Sequence, residues 1–127
     1  MKLAPVLGSL ILFGAIIQII LGFQVSAGVD ELTGAHILIG VIGLVLVLAL
    51  TAMAFRSKTS TIYSKVIMVI LTLVVLGQIG LGFQLLNGAD ALAISHQANA
   101  FIILGLSLLI GAVTMKAAKK QRQSTSP

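Results

Sequence analysis

The sequence predicts an all-α integral membrane protein, a four-transmembrane-helix bundle made of two tandem helical hairpins related as parallel repeats. Three observations predict it. Of the 127 residues, 58% are hydrophobic and 9% charged, whereas a soluble domain carries about 25% charged residues. Four apolar runs divide the chain, each long enough at ~1.5 Å per residue to cross a hydrocarbon layer of ~30 Å. The second half repeats the first at an offset of 60: QIILGFQVSAGVDELTGAH ends at His36 and QIGLGFQLLNGADALAISH ends at His96. Ten positions are identical between these stretches, and each closes on one of the only two histidines in the protein.

The first run extends from about Pro5 to Ser26. Proline suits a first helical turn, where its missing N–H is not needed. Lys2, an apolar stretch and Val25-Ser26-Ala27 also resemble a cleaved leader. The matching internal segment that ends at Leu86 cannot be one, so the first run is read as a transmembrane helix. Ala27 to Asp30 form a short link, with Gly28 placed to end the helix in a left-handed conformation. Asp30 is placed to cap the next helix with its carboxylate.

The second run goes from Glu31 to about Phe55, and Arg56 to Ser60 then make a polar, basic loop. The third run covers Ile62 to Leu86, the link recurs as Asn87 to Asp90, and the fourth run covers Ala91 to about Met115. The chain reads as one membrane domain, with one repeat over 1–60, the other over 61–120, and a flexible tail over 121–127. Lys116, Lys119 and Lys120 complement the negative end of the last helix.

Charge predicts orientation. All eight Lys and Arg residues lie near the N-terminus, in the 56–65 segment or in the tail, and the three acids Asp30, Glu31 and Asp90 lie in the links. The positive-inside rule then places both termini and the 56–65 loop in the cytoplasm and the links 27–30 and 87–90 outside, in a multi-pass protein of the cell membrane. The net charge of +5 is therefore a topology signal and not a nucleic-acid footprint. With no cysteine in the chain, disulfides, iron–sulfur clusters, thiolate metal sites and covalent haem attachment are excluded.

His36 and His96 each lie six residues past an aspartate, about 9 Å into the membrane on equivalent helices. Ionisable groups at such depth are costly and are read as functional. The bland reading, a neutral imidazole bonded to a neighbouring helix, suits one isolated histidine better than a symmetric pair. Zinc wants three or four protein ligands, and here only the link carboxylates could supplement the histidines. A low-spin haem needs two axial ligands, one per face, so the pair predicts one bis-histidine haem b, with haem A or O as alternatives. Gly40 and Ala100 lie one turn beyond the histidines, small enough to leave room for a flat macrocycle. Gly14, Gln18 and Gly22 share a face of the first helix, as Gln78 and Gly82 do of the third. Close helix–helix contact would explain those glycines equally well.

Gln24 and Gln84, near the outer helix ends, are positioned to donate to propionates or to meet water at the headgroups. The outer side offers propionates no cation, which leaves the N-termini of the second and fourth helices or a partner subunit. Gln97 and Asn99 have apolar counterparts, Ile37 and Ile39, in the first repeat.

The repeated Q-x-x-L-G near a helix end, a short link and an early histidine in the next helix resemble the haem A synthase family. Its members are built from four-helix units with one histidine on the second helix and one on the fourth. The chain corresponds to one such unit, where the typical member joins two. The resemblance implies that His36 and His96 are an axial pair. It also has departures. Where the family's catalytic half carries a glutamate three residues before the histidine and an arginine after it, this chain has Thr33 and Ile37, and Ala93 and Gln97 in the second copy. Glu31 is five residues before His36, and Ser26 stands where an arginine often follows L-G-x-x-V. The haem-binding frame is kept and the oxygenase groups are not. The sequence-level expectation is thus a b-type cytochrome that passes electrons, as a bilayer-embedded subunit of a respiratory or redox complex or as a homo-oligomer. A half-size haem A synthase-like enzyme and a haem-free structural subunit are the alternatives.

Overall fold

The computed structural model describes residues 3–124 and has four long helices. They are α1, Leu3–Ser26; α2, Thr33–Arg56; α3, Ile62–Leu86; and α4, Ala93–Ser124. All four are long and apolar enough to cross a bilayer. Large apolar side chains such as Phe13, Leu38, Phe55, Leu73 and Ile94 are exposed. An apolar surface on every side is what a lipid solvent requires. The predicted spans agree to within a few residues except at the end of α4, expected near Met115 with a flexible tail from 121. The helix instead runs on to Ser124, because Lys, Arg and Gln are good helix formers and extend a helix already nucleated. Residues 125–127, the rest of that tail, lie outside the described residues, as does Lys2.

Each helix packs on its neighbours in chain order and α4 closes on α1, while the diagonal pairs α1–α3 and α2–α4 make no backbone contact. The bundle is therefore square, with α2 and α4 facing each other across its axis. The packed core sits at one end, the end of the loop 57–61 and of the helix termini. There Ile11, Val47, Leu50, Ala54, Met68, Leu71, Val75 and Ile110 form a single buried cluster. Burial repeats at the sequence offset: Ile11 matches Leu71, Ala15 matches Val75, and Leu50 matches Ile110. Ser107 occupies the place of Val47 and is equally buried. Its hydroxyl donates to the Ile103 carbonyl at 2.7 Å, so no orphaned polar group is buried there. Thr51 and Thr72 join α2 to α3 by a hydroxyl–hydroxyl bond of 3.0 Å. Gly8 lets α1 approach α4 closely, since a Cβ there would stand 3.2 Å from Thr114 Oγ1.

The two links are built alike. Gly28 and Gly88 have φ of 92° and 84°. Val29 N–H donates to the Gln24 carbonyl and Gly28 N–H to the Val25 carbonyl, with Ala89 to Gln84 and Gly88 to Leu85 in the second link. This is the Schellman closure, which satisfies carbonyls left open at a helix end. Gly28→Ala and Gly88→Ala are each expected to lower stability by about 1 kcal/mol, the cost of a Cβ in the left-handed region. Thermal unfolding in detergent micelles checks this, with Gly34→Ala, which adds a methyl into open space at ordinary φ and should not destabilise, as the control.

The expected aspartate caps are not formed. A single 3₁₀ turn, Asp30–Leu32 or Asp90–Leu92, precedes α2 and α4, and no side chain caps it. Val29 and Ala89 hold the capping position instead. A capping side chain must stand before the first turn and reach forward to its free N–H groups. The Schellman closure ends so tightly that Asp30 and Asp90 have already joined the turn. Their main-chain carbonyls accept from Thr33 and Ala93 N–H, and their charges still favour the positive helix end. At the opposite end Thr61 does cap α3, its hydroxyl accepting from Ser64 N–H at 3.2 Å. The Lys65 ammonium lies 5.8 Å from the Phe55 ring centre beside the same loop.

Candidate functional site

In the half of the bundle nearer the links, the helices part around a cavity of about 440 Å³, within the range of about 300–1,000 Å³ usual for ligand sites. His36, from the first turn of α2, and His96, from the first turn of α4, face each other across it. Their ring centres are 6.0 Å apart, with the planes inclined at 64°. Gln18, Gln78, Gly22, Gly82, Gly40 and Ala100 line the same space. So does Gly14, at the spacing that puts it on one face of α1 with Gln18 and Gly22. The sequence therefore brought eight of the ten candidate residues to one place. Gln24 and Gln84 lie outside the lining, with exposed side chains. Their main-chain carbonyls accept the link hydrogen bonds already described.

The glycines seat side chains and do not bring helices together. A Cβ on Gly22 would stand 3.3 Å from His36 Cε1, and one on Gly82 would stand 3.2 Å from His96 Cε1. Each imidazole thus rests edge-on in the hollow left by a glycine of its own hairpin. Gly40 does the same for the Gln18 amide, which a Cβ would approach to 2.5 Å. A Cβ on Gly14 would touch nothing. Gly22→Leu and Gly82→Leu should therefore displace the imidazoles without opening the bundle. The measurement is cofactor retention, expected to fall at least about 10-fold, the scale of supporting-residue changes at metal sites, with helicity by circular dichroism unchanged.

Three buried side-chain atoms have no hydrogen-bond partner among the described residues: His36 Nδ1, His96 Nδ1 and Gln18 Oε1. All three belong to the predicted site, and native structures rarely leave such atoms unpaired. The second half is more fully bonded. Asn99, from α4, donates from Nδ2 to the Val74 carbonyl at 3.0 Å and to Gln78 Oε1 at 2.9 Å. Gln78 Nε2 in turn lies 3.1 Å from His96 Nε2.

No family model, no curated protein and no solved structure matches the chain. The site must be judged on its own chemistry. Its lining is overwhelmingly apolar and contains no Lys, Arg, Asp or Glu side chain. No group of three or more His, Asp or Glu side chains able to hold a metal ion occurs among the described residues. What it offers is two imidazoles on opposite walls and an unpaired amide oxygen. Two metal–imidazole bonds of about 2.0 Å each, with the reach from nitrogen to ring centre added on both sides, fill a gap close to the 6.0 Å between the rings. Each ring rests on its glycine, so binding a shared metal would require both to turn toward the bundle axis. Asn99 stood out in the sequence only as a polar residue without a polar counterpart. Gly43, also in the lining, lies seven residues past His36, two helical turns along the same face.

Proposed function

We propose that the chain is a membrane cytochrome that holds one haem b between His36 and His96. The observation that carries this reading is the pair of rings 6.0 Å apart with both Nδ1 atoms buried and unpaired. When bound, the haem supplies a one-electron iron couple. His36 and His96 would hold it, one imidazole each, which would suit electron transfer over oxygen chemistry. The apolar walls exclude water from the macrocycle, and the glycine seats leave the rings free to turn. The charge sorting supports an orientation with the histidine end outside and the loop 57–61 in the cytoplasm. Electrons would pass to other membrane subunits or between copies of this chain.

The test is the spectrum of the full-length protein purified from cells supplied with haem. Oxidised and reduced spectra are expected to show sharp low-spin bands, one haem per chain, and unmodified haem b on extraction. A colourless protein overturns the reading, and haem A or its hydroxylated precursor as a product points to synthase-like chemistry instead.

A further inference from the structure

We infer that Asn99 and Gln78 are positioning residues that set which ring nitrogen of neutral His96 carries its proton, so that the two histidines are not equivalent ligands. The inference rests on the same site but needs no cofactor for its test. It begins at the Val74 carbonyl, which can only accept a hydrogen bond. Asn99 lies 3.0 Å from it and must turn its NH₂ group that way. The same NH₂ reaches the Gln78 side chain at 2.9 Å, so the atom it meets is the Gln78 oxygen. The Gln78 NH₂ group then faces His96 Nε2 at 3.1 Å and donates to it. A neutral imidazole has one donor and one acceptor nitrogen. With Nε2 accepting, the His96 proton is on Nδ1, the buried atom with no partner.

The first half has the same glutamine and the same histidine but not the relay. Ile39 stands at the position of Asn99 and can donate nothing. Gln18 lies over Gly40 instead, and its Oε1 is left buried and unpaired. Among the described residues no amide N–H faces His36 as Gln78 faces His96, so its proton can stay on Nε2, the nitrogen a neutral imidazole prefers. His36 offers a free lone pair on Nδ1. The lone pair of His96 is on Nε2, with the Gln78 N–H in the place a metal would take. A metal meeting this site finds one ligand open and one guarded.

The repeat supplies its own test. The full-length protein, prepared without haem in lipid nanodiscs with ¹⁵N-labelled histidine, is compared with Asn99→Ile and Ile39→Asn. The side-chain ¹⁵N shifts report which ring nitrogen carries the proton. The expected wild-type result is two patterns, Nδ1–H for His96 and Nε2–H for His36. Asn99→Ile should shift His96 to the pattern of His36. Ile39→Asn, whose new NH₂ can reach Gln18 Oε1, should shift His36 to the pattern of His96. A wild-type protein in which both histidines carry the proton on the same nitrogen overturns the inference. So do variants that fold, by circular dichroism, with unchanged shifts. A chain that never takes up haem would defeat the cytochrome reading alone, since these measurements are made without it.

Discussion

Alanine at either His36 or His96 is expected to abolish the low-spin haem spectrum and to reduce haem retention through purification by at least about 100-fold. Changes to supporting residues at metal sites alone cost about 10–100-fold, and here a ligand itself is removed. No substitute is within reach. The cavity lining holds no methionine, cysteine or lysine that could take the open axial position. The two single variants should therefore fail alike, although the wild-type histidines differ in their bonding. Absorbance per chain in oxidised and reduced protein measures the effect. Retention of the full spectrum by either variant would show that its histidine does not bind the iron. Circular dichroism should remain that of a folded bundle, because the packed core lies at the other end of the helices.

Leu71→Ala is expected to give the largest loss of stability. Leu71 is completely buried in the middle of the packed end, with Val47 and Met68 in the same cluster. Removing a buried leucine side chain costs about 2–5 kcal/mol. In a bilayer the unfolded reference is also apolar, so the transfer part of that cost falls away and the lost packing remains. The expected value is thus toward the lower end of that range. Leu73→Ala, only two residues away but 61% exposed, should change stability by less than about 0.5 kcal/mol. Unfolding of both variants in mixed micelles measures the contrast. Equal effects would mean that the helix faces are assigned wrongly.

The contrast between Leu71 and Leu73 also shows where the sequence falls silent. Four spans, two tight links and the left-handed glycines could all be read from run length, charge and the 60-residue repeat. The inward faces could not, because helices that are apolar on every side carry no amphipathic stripe to mark them. Glycine and glutamine spacing marked the cavity side only because polar and small residues are rare in these runs. Gln18 and Gln78 were traceable in this way. Gln24 and Gln84 lie six residues further on, about a third of a turn off that face, and fall on the outside. The aspartate caps failed because link geometry depends on how the preceding helix closes, a matter of one residue. The Asn99 relay was invisible because it joins three residues from two helices, and nothing in their order along the chain pairs them.

The two hairpins are joined through the chain at one end only. Within each hairpin a short link ties the helices beside the cavity, whereas the single connection between hairpins, the loop 57–61, lies beside the packed core. His36 belongs to one hairpin and His96 to the other. The molecule thus has the plan of a pair of callipers, two helical hairpins joined beside the packed cluster. Eleven residues separate Val47 in that cluster from His36 beside the cavity, an arm of about 16 Å. A tilt of about 4° between the hairpins over that arm would change the gap by about 1 Å. A small change of angle between the hairpins is therefore enough to change the gap between the imidazoles, with each hairpin left as it is.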